Sequence, residues 1–253
     1  MPPRLSVNVN KIATVRNSRG GAIPSVLEAV QVCIDAGAPG ITVHPRADER
    51  HITRRDVYES AEALAPRRGK VEYNIEGDPQ PAWLEMVHAV KPDQATLVPV
   101  VPGEITSQAG WTEKVATGAA VHLPKVIAGL QRAGIRVSLF IDADPHIIPW
   151  VASLKPDRVE LYTEPFARAF ERGDAEGRAS FARYAEVANL VVASGMAINA
   201  GHDLDLHNLP LFRTLPHLEE VSIGHALISR AIFVGLDRVV REYLAVLAEG
   251  ETA

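Results

Sequence analysis

Histidine and glutamate side chains stand at the ends of short apolar runs that are far apart in the chain. His44 closes the run GITVH, Glu76 closes KVEYNIE, and His202 follows GMAINAG. An imidazole can take up and release a proton near neutral pH, and a carboxylate becomes a stronger base when it is removed from water. These residue types predict general acid–base chemistry, provided that the fold brings the three runs together.

Basic side chains gather after the first two apolar runs, although the chain has 26 Lys and Arg against 31 Asp and Glu. The cluster consists of Lys11, Arg16, Arg19, Arg46 and His51. It predicts an anionic ligand such as a phosphate, and we expect one anion site near Arg46 and His51. The segment IGHALIS at 223–229 predicts a helix start whose backbone N–H groups could hold a second phosphate. That second site would lie near Gly224 and Arg19.

The elements that would position these residues alternate regularly along the chain. Eight short runs rich in Val and Ile are predicted strands: 5–10, 40–44, 70–76, 94–100, 136–142, 158–163, 195–201 and 220–225. The segments between them carry apolar residues at helical spacing, as at 24–35 and 229–248. This α/β pattern predicts a single (β/α)8 TIM barrel with extra helices, occupying residues 1–253 as one domain. A doubly wound open sheet is the alternative, and the polar segment 164–178 is predicted to add a helix and a turn.

In a parallel barrel, functional side chains lie at the carboxyl ends of the strands. Because strand side chains alternate between two faces, Asn8 and Asn10 should point the same way, as should Asn74 and Glu76. A buried polar group costs free energy unless it is hydrogen-bonded. Polar residues near one rim in so many strands are therefore difficult to explain by packing alone.

Each of these side chains also has a purely structural interpretation. Asn8 and Asn10 could cap the end of a strand, and Glu160 could pair with an arginine inside the barrel. His44 could be a hydrogen-bonded core histidine. For Asp142 the structural interpretation is the better one, since it would cap the helix that follows its strand.

Composition excludes several classes of protein. Apolar residues make up 47% of the chain and charged residues 23%, which is typical of a globular protein rather than a disordered one. The formal net charge of -5 argues against nucleic-acid binding. No stretch approaches the ~20 apolar residues of a membrane-spanning helix, so no membrane partner is expected. The single cysteine, Cys33, and an N-terminus unlike a signal peptide predict a cytoplasmic protein.

Common cofactor and metal motifs are absent from the sequence. No Walker-type glycine loop or GxGxxG follows a predicted strand, there is no cysteine cluster, and the first strand carries no HxH pair. These absences give little support to a dinucleotide site and weaken the case for a metal-hydrolase barrel. The segment 99–112 is long for a βα loop and contains Pro102, Gly103 and Gly110. It is predicted to be a mobile lid, with an ordinary surface loop as the alternative.

Several segments resemble, in chain order, the pyridoxine 5'-phosphate synthase family of the deoxyxylulose-dependent vitamin B6 pathway. They are NVNKIATVRNSRGG (8–21), GITVHPRADERHI (40–52), NIEG (74–77), SLFIDAD (138–144), VELYTEP (159–165), INAGHDL (198–204) and VSIGHALISRA (221–231), together with parts of 97–111. The resemblance covers about residues 5–245. It implies a (β/α)8 barrel assembled as a homo-octamer. It also implies condensation of 1-deoxy-D-xylulose 5-phosphate with 3-amino-2-oxopropyl phosphate to pyridoxine 5'-phosphate, inorganic phosphate and water, without a cofactor.

The same resemblance implies roles for individual residues. His44 and Glu76 would accept protons and His202 would donate one, while Glu160 would be the carboxylate that stabilises the transition state. The implied contacts of the deoxyxylulose phosphate are Arg46, His51 and Thr106, with Asn10 and Lys11 alongside. The implied contacts of the aminoketone phosphate are Asn8, Arg19, Asp203, Gly224 and His225.

The chain departs from the family pattern at three positions. Asn10 and Lys11 stand where many members have Asp and His, and Asp203 stands where many have Gly. Lys11 keeps a cation for a phosphate, but a proton transfer specific to histidine would be lost. Asp203 would contribute only its backbone N–H, with its carboxylate turned away from the phosphate.

Two other functions stay open. A different phosphosugar barrel enzyme, either an isomerase or an aldolase, would share the phosphate sites and the carboxylate base. A Schiff-base aldolase would have to use Lys11, which lies at the rim. A non-catalytic binder of phosphorylated metabolites would explain the anion sites, but not an inward Glu76 and Glu160, because carboxylates repel phosphate.

Overall fold

The sheet of this protein closes into a barrel in the computed structural model, which describes residues 1–100, 109–119 and 121–249. The strands are β1 Arg4–Asn8, β2 Gly40–Val43, β3 Glu72–Gly77, β4 Gln94–Leu97, β5 Arg136–Ile141, β6 Arg158–Tyr162, β7 Ala197–Gly201 and β8 Leu218–Ile223. Each strand pairs in parallel with the next, and β8 pairs with β1. The TIM barrel is therefore confirmed and the open sheet is wrong, whereas the single-domain assignment stays a prediction.

Helices lie between the strands and after the last one. In the described residues they are α1 Asn10–Asn17, α2 Val26–Asp35, α3 Arg54–Leu64, α4 Pro81–Val90, α5 Glu113–Gly118, α6 Leu123–Arg132, α7 Ile148–Leu154, α8 Glu164–Arg172, α9 Asp174–Ala193, α10 Leu209–Phe212, α11 His225–Val234 and α12 Leu236–Ala248. The extra helix expected at 164–178 is present as α8. The turn after it is shorter than expected, because Gly173 alone separates α8 from α9.

The first strand ends earlier than its sequence pattern suggested. The side-chain Oδ1 of Asn8 accepts the backbone N–H of Asn10 at 3.1 Å, and Asn10 is already the first residue of α1. Asn10 therefore does not lie on the strand as expected, although it faces the same cavity as Asn8. The alternation rule fails here because the Asn8 side chain turns the chain out of the strand. Similarly, β8 ends at Ile223, and His225 belongs to α11.

The strand-end carboxylate Asp142 does not cap the element that follows β5, so that expectation is also wrong. The cap is Asp144, whose Oδ1 accepts the N–H of His146 at 2.9 Å at the start of a short 3-10 helix. Asp142 instead accepts the backbone N–H of Gly110 at 3.4 Å. It thereby joins the carboxyl end of β5 to the segment that follows β4.

The two faces of the barrel strands differ in polarity. The outward side chains include Leu5, Val7, Ile41, Ile75 and Leu139, which are fully buried in the main hydrophobic core with the helices. The other face carries hydroxyl and amide groups that bond from strand to strand. Ser6 and Thr42 hydroxyls lie 2.6 Å apart, and the Thr96 hydroxyl donates to Asn74 Oδ1 at 3.0 Å. The interior of the barrel is thus polar, and many of its side chains are joined by hydrogen bonds from strand to strand.

Ion pairs close the amino end of the barrel. Arg4 Nη1 lies 3.2 Å, Arg136 Nη2 2.5 Å and Arg158 Nη1 3.8 Å from the buried carboxylate of Glu72. These arginines converge on Glu72 and not on Glu160, although Arg158 and Glu160 share β6. The structural pairing considered for Glu160 is therefore wrong. Among the helices of the described ranges, none has the length and apolar content that crossing a bilayer requires.

Candidate active site

A cavity of about 480 Å³ opens at the carboxyl ends of the strands. The residues expected from the sequence that line it are Asn8, Asn10, Lys11, His44, Arg46, His51, Glu76, His202, Asp203, Gly224 and His225. They come from β1, β2, β3, β7 and β8 or from the segments directly after these strands. Because parallel strands end at the same rim, side chains that are far apart in sequence meet here.

His44 and Glu76 form the centre of the cavity wall. The Nδ1 atom of His44 lies 3.6 Å from Oε2 of Glu76, and both side chains are buried. The Asn8 side chain donates to the same Glu76 oxygen at 3.4 Å. Asn10 accepts the backbone N–H of His44 at 2.9 Å, which fixes the start of the segment after β2. Neighbouring strands thus hold an imidazole and a carboxylate side by side in the cavity wall.

Burial shifts the proton affinity of these two groups in opposite directions. Burial, and then the nearby Arg46 charge, lower the pKa of His44 to about 4, while Asp78 opposes the shift. Burial raises the pKa of the Glu76 carboxyl, against a hydrogen bond with Ser222 that lowers it. Both effects arise because a charged form loses its hydration inside the barrel.

Glu160 lies beneath the cavity rather than in its wall, with 1% of its surface exposed. Within the part of the chain that the structure describes, neither carboxylate oxygen has a hydrogen-bond partner. Burial raises its pKa well above the ordinary value, and the charge of Glu76 raises it further. The adjacent Gly201 leaves room for it, since a Cβ atom there would stand 2.4 Å from Glu160 Oε1. An unpaired, protonatable carboxyl thus lies under Glu76.

His202 is held in place by its backbone and by aromatic neighbours. It and Asp203 both adopt left-handed backbone conformations, with φ of 73° and 51°. The Thr163 hydroxyl donates to the carbonyl oxygens of Gly201 and His202. The imidazole packs edge-on against Phe140 at a centroid distance of 5.0 Å. Burial, and then the charges of His44 and Lys11, lower its pKa to about 4. The ring therefore stays neutral near pH 7.

Donors for an anion lie on two sides of the cavity. On one side are Arg46 and His51, with the His51 ring 6.0 Å from that of His44. On the other side α11 begins, with Gly224 as its N-cap and no side chain bonded to that cap. A Cβ at Gly224 would stand 3.1 Å from Asn8, so only glycine lets the helix end approach the strand so closely. A helix N-terminus offers free N–H groups to an anion.

One expected contact, Arg19, does not line the cavity, and another, Thr106, lies outside the described residues. Arg19 is exposed and does not line the cavity, because α1 begins at the mouth with Asn10 and leads the chain away, at ~1.5 Å per residue. Thr106 and most of the expected lid at 99–112 lie outside the described residues. The assignment of Thr106 as a substrate contact and of 99–112 as a lid therefore stays a prediction. The assignment of Arg19 as a substrate contact also stays a prediction.

The cavity also contains residues that the sequence reasoning missed, namely Thr14, Arg50, Tyr162 and Ser222. Two of them could have been found by alternation, since Tyr162 lies two residues after Glu160 and Ser222 two residues before Gly224. Thr14 follows Asn10 by one helical turn. In residues 1–100, 109–119 and 121–249, no group of three or more His, Cys, Asp or Glu side chains is arranged to hold a metal ion.

The fold and this cavity define a (β/α)8-barrel protein with an acid–base cluster at the carboxyl ends of its strands. Solved barrels show the same fold. The tryptophan synthase alpha-subunit from Pyrococcus furiosus superposes with a TM-score of 0.62 at 11% identity, over 97% of this chain and 100% of that one. Phosphoribosyl anthranilate isomerase from Thermus thermophilus superposes with a TM-score of 0.59 at 16% identity, over 97% and 98%.

The chain belongs to the family described as "Pyridoxal phosphate biosynthesis protein PdxJ", whose family model matches residues 5–249. It is 48% identical to the pyridoxine 5'-phosphate synthase of Leptospira biflexa, over 98% of each chain. It is also 48% identical to the enzyme of the same name from Bacteroides fragilis, over 95% of this chain and 97% of that one. The enzyme of that name from Xanthomonas campestris is likewise 48% identical, over 100% of this chain and 99% of that one. The family expected from the sequence is thereby confirmed.

Proposed function

We propose that this protein is a pyridoxine 5'-phosphate synthase. It condenses 1-deoxy-D-xylulose 5-phosphate with 3-amino-2-oxopropyl phosphate and releases pyridoxine 5'-phosphate, inorganic phosphate and water. Membership of the family and the shared name of its relatives support this reaction. The observation that carries it is the convergence of His44, Glu76 and His202 on one cavity between two groups of anion donors.

The chemistry of ring closure requires several proton transfers at carbon and oxygen. Forming a pyridine from an aminoketone and a keto sugar involves an imine, loss of phosphate, dehydrations and a final cyclisation. In the proposal, His44 and Glu76 accept protons and His202 donates one. Each well-placed acid or base contributes ~10²–10⁴-fold in rate. The neutral imidazoles of His44 and His202 support the assignment, because a neutral ring can accept a proton before it donates one.

Glu160 would act from below by stabilising the charge that develops in the transition state. Its burial and its free carboxyl oxygens support this role, since nothing in the described residues consumes its hydrogen-bonding capacity. Because it lies directly beside Gly201, its position depends on the absence of a side chain there. A protonated carboxyl could donate a hydrogen bond to an intermediate above it.

The two phosphates would occupy opposite sides of the cavity. Arg46 and His51, with Asn10, Lys11 and Thr106, would bind the deoxyxylulose phosphate. The start of α11 at Gly224 and His225, with Asn8, Arg19 and the backbone of Asp203, would bind the aminoketone phosphate. The left-handed backbone of Asp203 supports its assignment, because that conformation is open to the glycine found in many relatives and is tolerated by aspartate.

Assembly and location complete the proposal. We infer a homo-octamer in the cytoplasm that needs no cofactor and no metal. Ile232 and Phe233, at the end of α11, are 70% and 86% exposed, and an apolar pair of this kind supports contact with another copy of the chain. Size-exclusion chromatography with light scattering tests the octamer.

The reaction is tested by mixing the purified protein with both phosphates. The proposal expects a pyridine absorption band in the ultraviolet together with release of inorganic phosphate. An isomerase would convert one phosphate alone, and a Schiff-base aldolase would be trapped covalently at Lys11 by borohydride. A protein that is thermally stabilised by the phosphates but forms no product would be a binder. Any of these three results contradicts the synthase assignment.

A further inference from the structure

The segment 44–53, which we call the β2–α3 loop, carries His44, Arg46 and His51 into the cavity. Helix α1 bonds to this loop at both ends. At its start, Asn10 accepts the N–H of His44 at 2.9 Å. At its far end, the Asn17 side chain donates to the carbonyl oxygen of His51 at 2.8 Å. One helix therefore sets the span between the two histidines.

Arg16 strengthens the second of these attachments. Its Nη1 and Nη2 atoms lie 2.5 Å and 2.8 Å from the two carboxylate oxygens of Asp56 on α3, and Nη2 also donates to the His51 carbonyl at 3.2 Å. Both side chains are nearly buried, with 12% and 6% exposed. Asp56 in turn accepts the N–H of Thr53 in the capping box of α3. A bidentate pair of this kind is rigid in direction, so the His51 backbone is fixed from α1 and α3 together.

The His51 ring is fixed as well. Its Nδ1 atom accepts the backbone N–H of Ile52 at 2.9 Å, so the proton of the neutral ring lies on Nε2. Burial and then the charges of His44, Arg46 and Lys11 lower the pKa of His51 to about 3, so the ring stays neutral. It therefore offers the cavity a single N–H donor whose direction follows from the backbone at 51 and 52.

We propose that Arg16 and Asn17 are positioning residues that aim the Nε2–H group of His51 at the phosphate of the deoxyxylulose substrate. This inference rests on the proposed function and assigns a role to two residues that do not line the cavity. Because they act through a phosphate donor and not through His44 or Glu76, they govern the binding of one substrate and leave proton transfer unaffected.

Steady-state kinetics of Asn17→Ala and Arg16→Met test the proposal, with each substrate varied in turn. We expect the KM for 1-deoxy-D-xylulose 5-phosphate to rise ~5–10-fold in each variant, because a misdirected His51 ring would weaken its hydrogen bond to the phosphate. The KM for the aminoketone phosphate and kcat should stay within about twofold of wild type on the same reasoning. Arg16→Lys, which keeps the charge, should recover part of the loss. Arg55→Met is the matched control, since the exposed Arg55 pairs with Glu59 one turn further along α3 and not with the β2–α3 loop.

Two further measurements separate the failure modes. A wild-type protein that forms no pyridine refutes the proposed function, whereas an active wild type with variants that change both KM values equally, or neither, refutes the positioning role. If Arg16→Met fails to fold because Asp56 loses its partner, Asn17→Ala still decides the matter. The 15N shifts of the His51 ring should change in Asn17→Ala, and an unaltered ring spectrum would also overturn the proposal.

Discussion

His44 Nδ1 lies 3.6 Å from Glu76 Oε2, yet the two groups do not form an ordinary ion pair. Burial lowers the pKa of His44 and raises the pKa of Glu76, so it favours the uncharged form of each group. Two adjacent groups with opposite pKa shifts can supply both a proton acceptor and a proton donor, which suits a reaction with several proton transfers.

Removing the carboxyl of Glu76 should abolish most turnover without unfolding the barrel. We expect Glu76→Gln to lose at least ~10²-fold in kcat, because an amide cannot act as a general base. The amide can still accept from the Asn8 side chain, which now donates to Glu76 Oε2 at 3.4 Å. Circular dichroism checks the fold, and near-wild-type turnover in the variant would remove Glu76 from the mechanism.

The pH dependence of kcat/KM should report the raised pKa of Glu76. A base acts in its deprotonated form, so activity should rise with pH through the pKa of the free enzyme. That midpoint should lie above the ordinary carboxyl value of 4.5, because burial raises the Glu76 pKa. His44 would give a midpoint near its lowered pKa of about 4 instead. A profile that is flat down to pH 5 would show that Glu76 does not act as the limiting base.

A single methyl group at position 201 should displace Glu160. The Cβ of Gly201→Ala would stand 2.4 Å from Glu160 Oε1, which forces the carboxyl to move. We expect a fall in kcat of ~10²-fold, the typical effect of misplacing a reacting group by about 1 Å. Gly118→Ala is the control, because a Cβ there would meet no atom and Gly118, like Gly201, does not have a left-handed φ. Equal kinetics for both variants would argue against a role for Glu160.

The ion pairs at the amino end of the barrel should contribute to stability and not to catalysis. Glu72→Gln leaves Arg136 and Arg158 without the carboxylate that now lies 2.5 Å and 3.8 Å from them. We expect a loss of about 3 kcal/mol in the free energy of unfolding, near the lower end for a broken buried pair because Arg4 and Arg136 remain partly exposed. Urea denaturation measures the loss, and unchanged kcat in the folded variant completes the test.

The backbone at Asp203 should discriminate between substitutions by shape. Its φ of 51° is left-handed, which glycine accepts freely and β-branched residues resist. We expect Asp203→Val to lose about 1–2 kcal/mol of stability and Asp203→Gly to be nearly neutral. Thermal unfolding of the two variants compares them directly. If both unfold at the same temperature, backbone strain does not explain why glycine and aspartate occur there.

Much of the architecture was predictable from local patterns. The eight apolar runs became strands, because β-branched runs bounded by turn residues have few other stable conformations in a folded chain. The errors occurred where a side chain redirected the backbone. Asn8 turned the chain before Asn10, and Asp144 rather than Asp142 capped the next element. Such hydrogen bonds depend on exact side-chain direction, which hydrophobic periodicity does not report.

By itself, the sequence determined the barrel, the family and the residue types at the cavity rim, because periodicity and motif order are properties of the chain alone. Only the tertiary structure decided which of these groups lie next to one another. It placed Glu160 under Glu76 without an arginine, left Arg19 outside the cavity, and joined Arg16 to His51 through α1. The reason is that pKa values and donor directions depend on burial and on distances between segments, and these exist only once the barrel has closed.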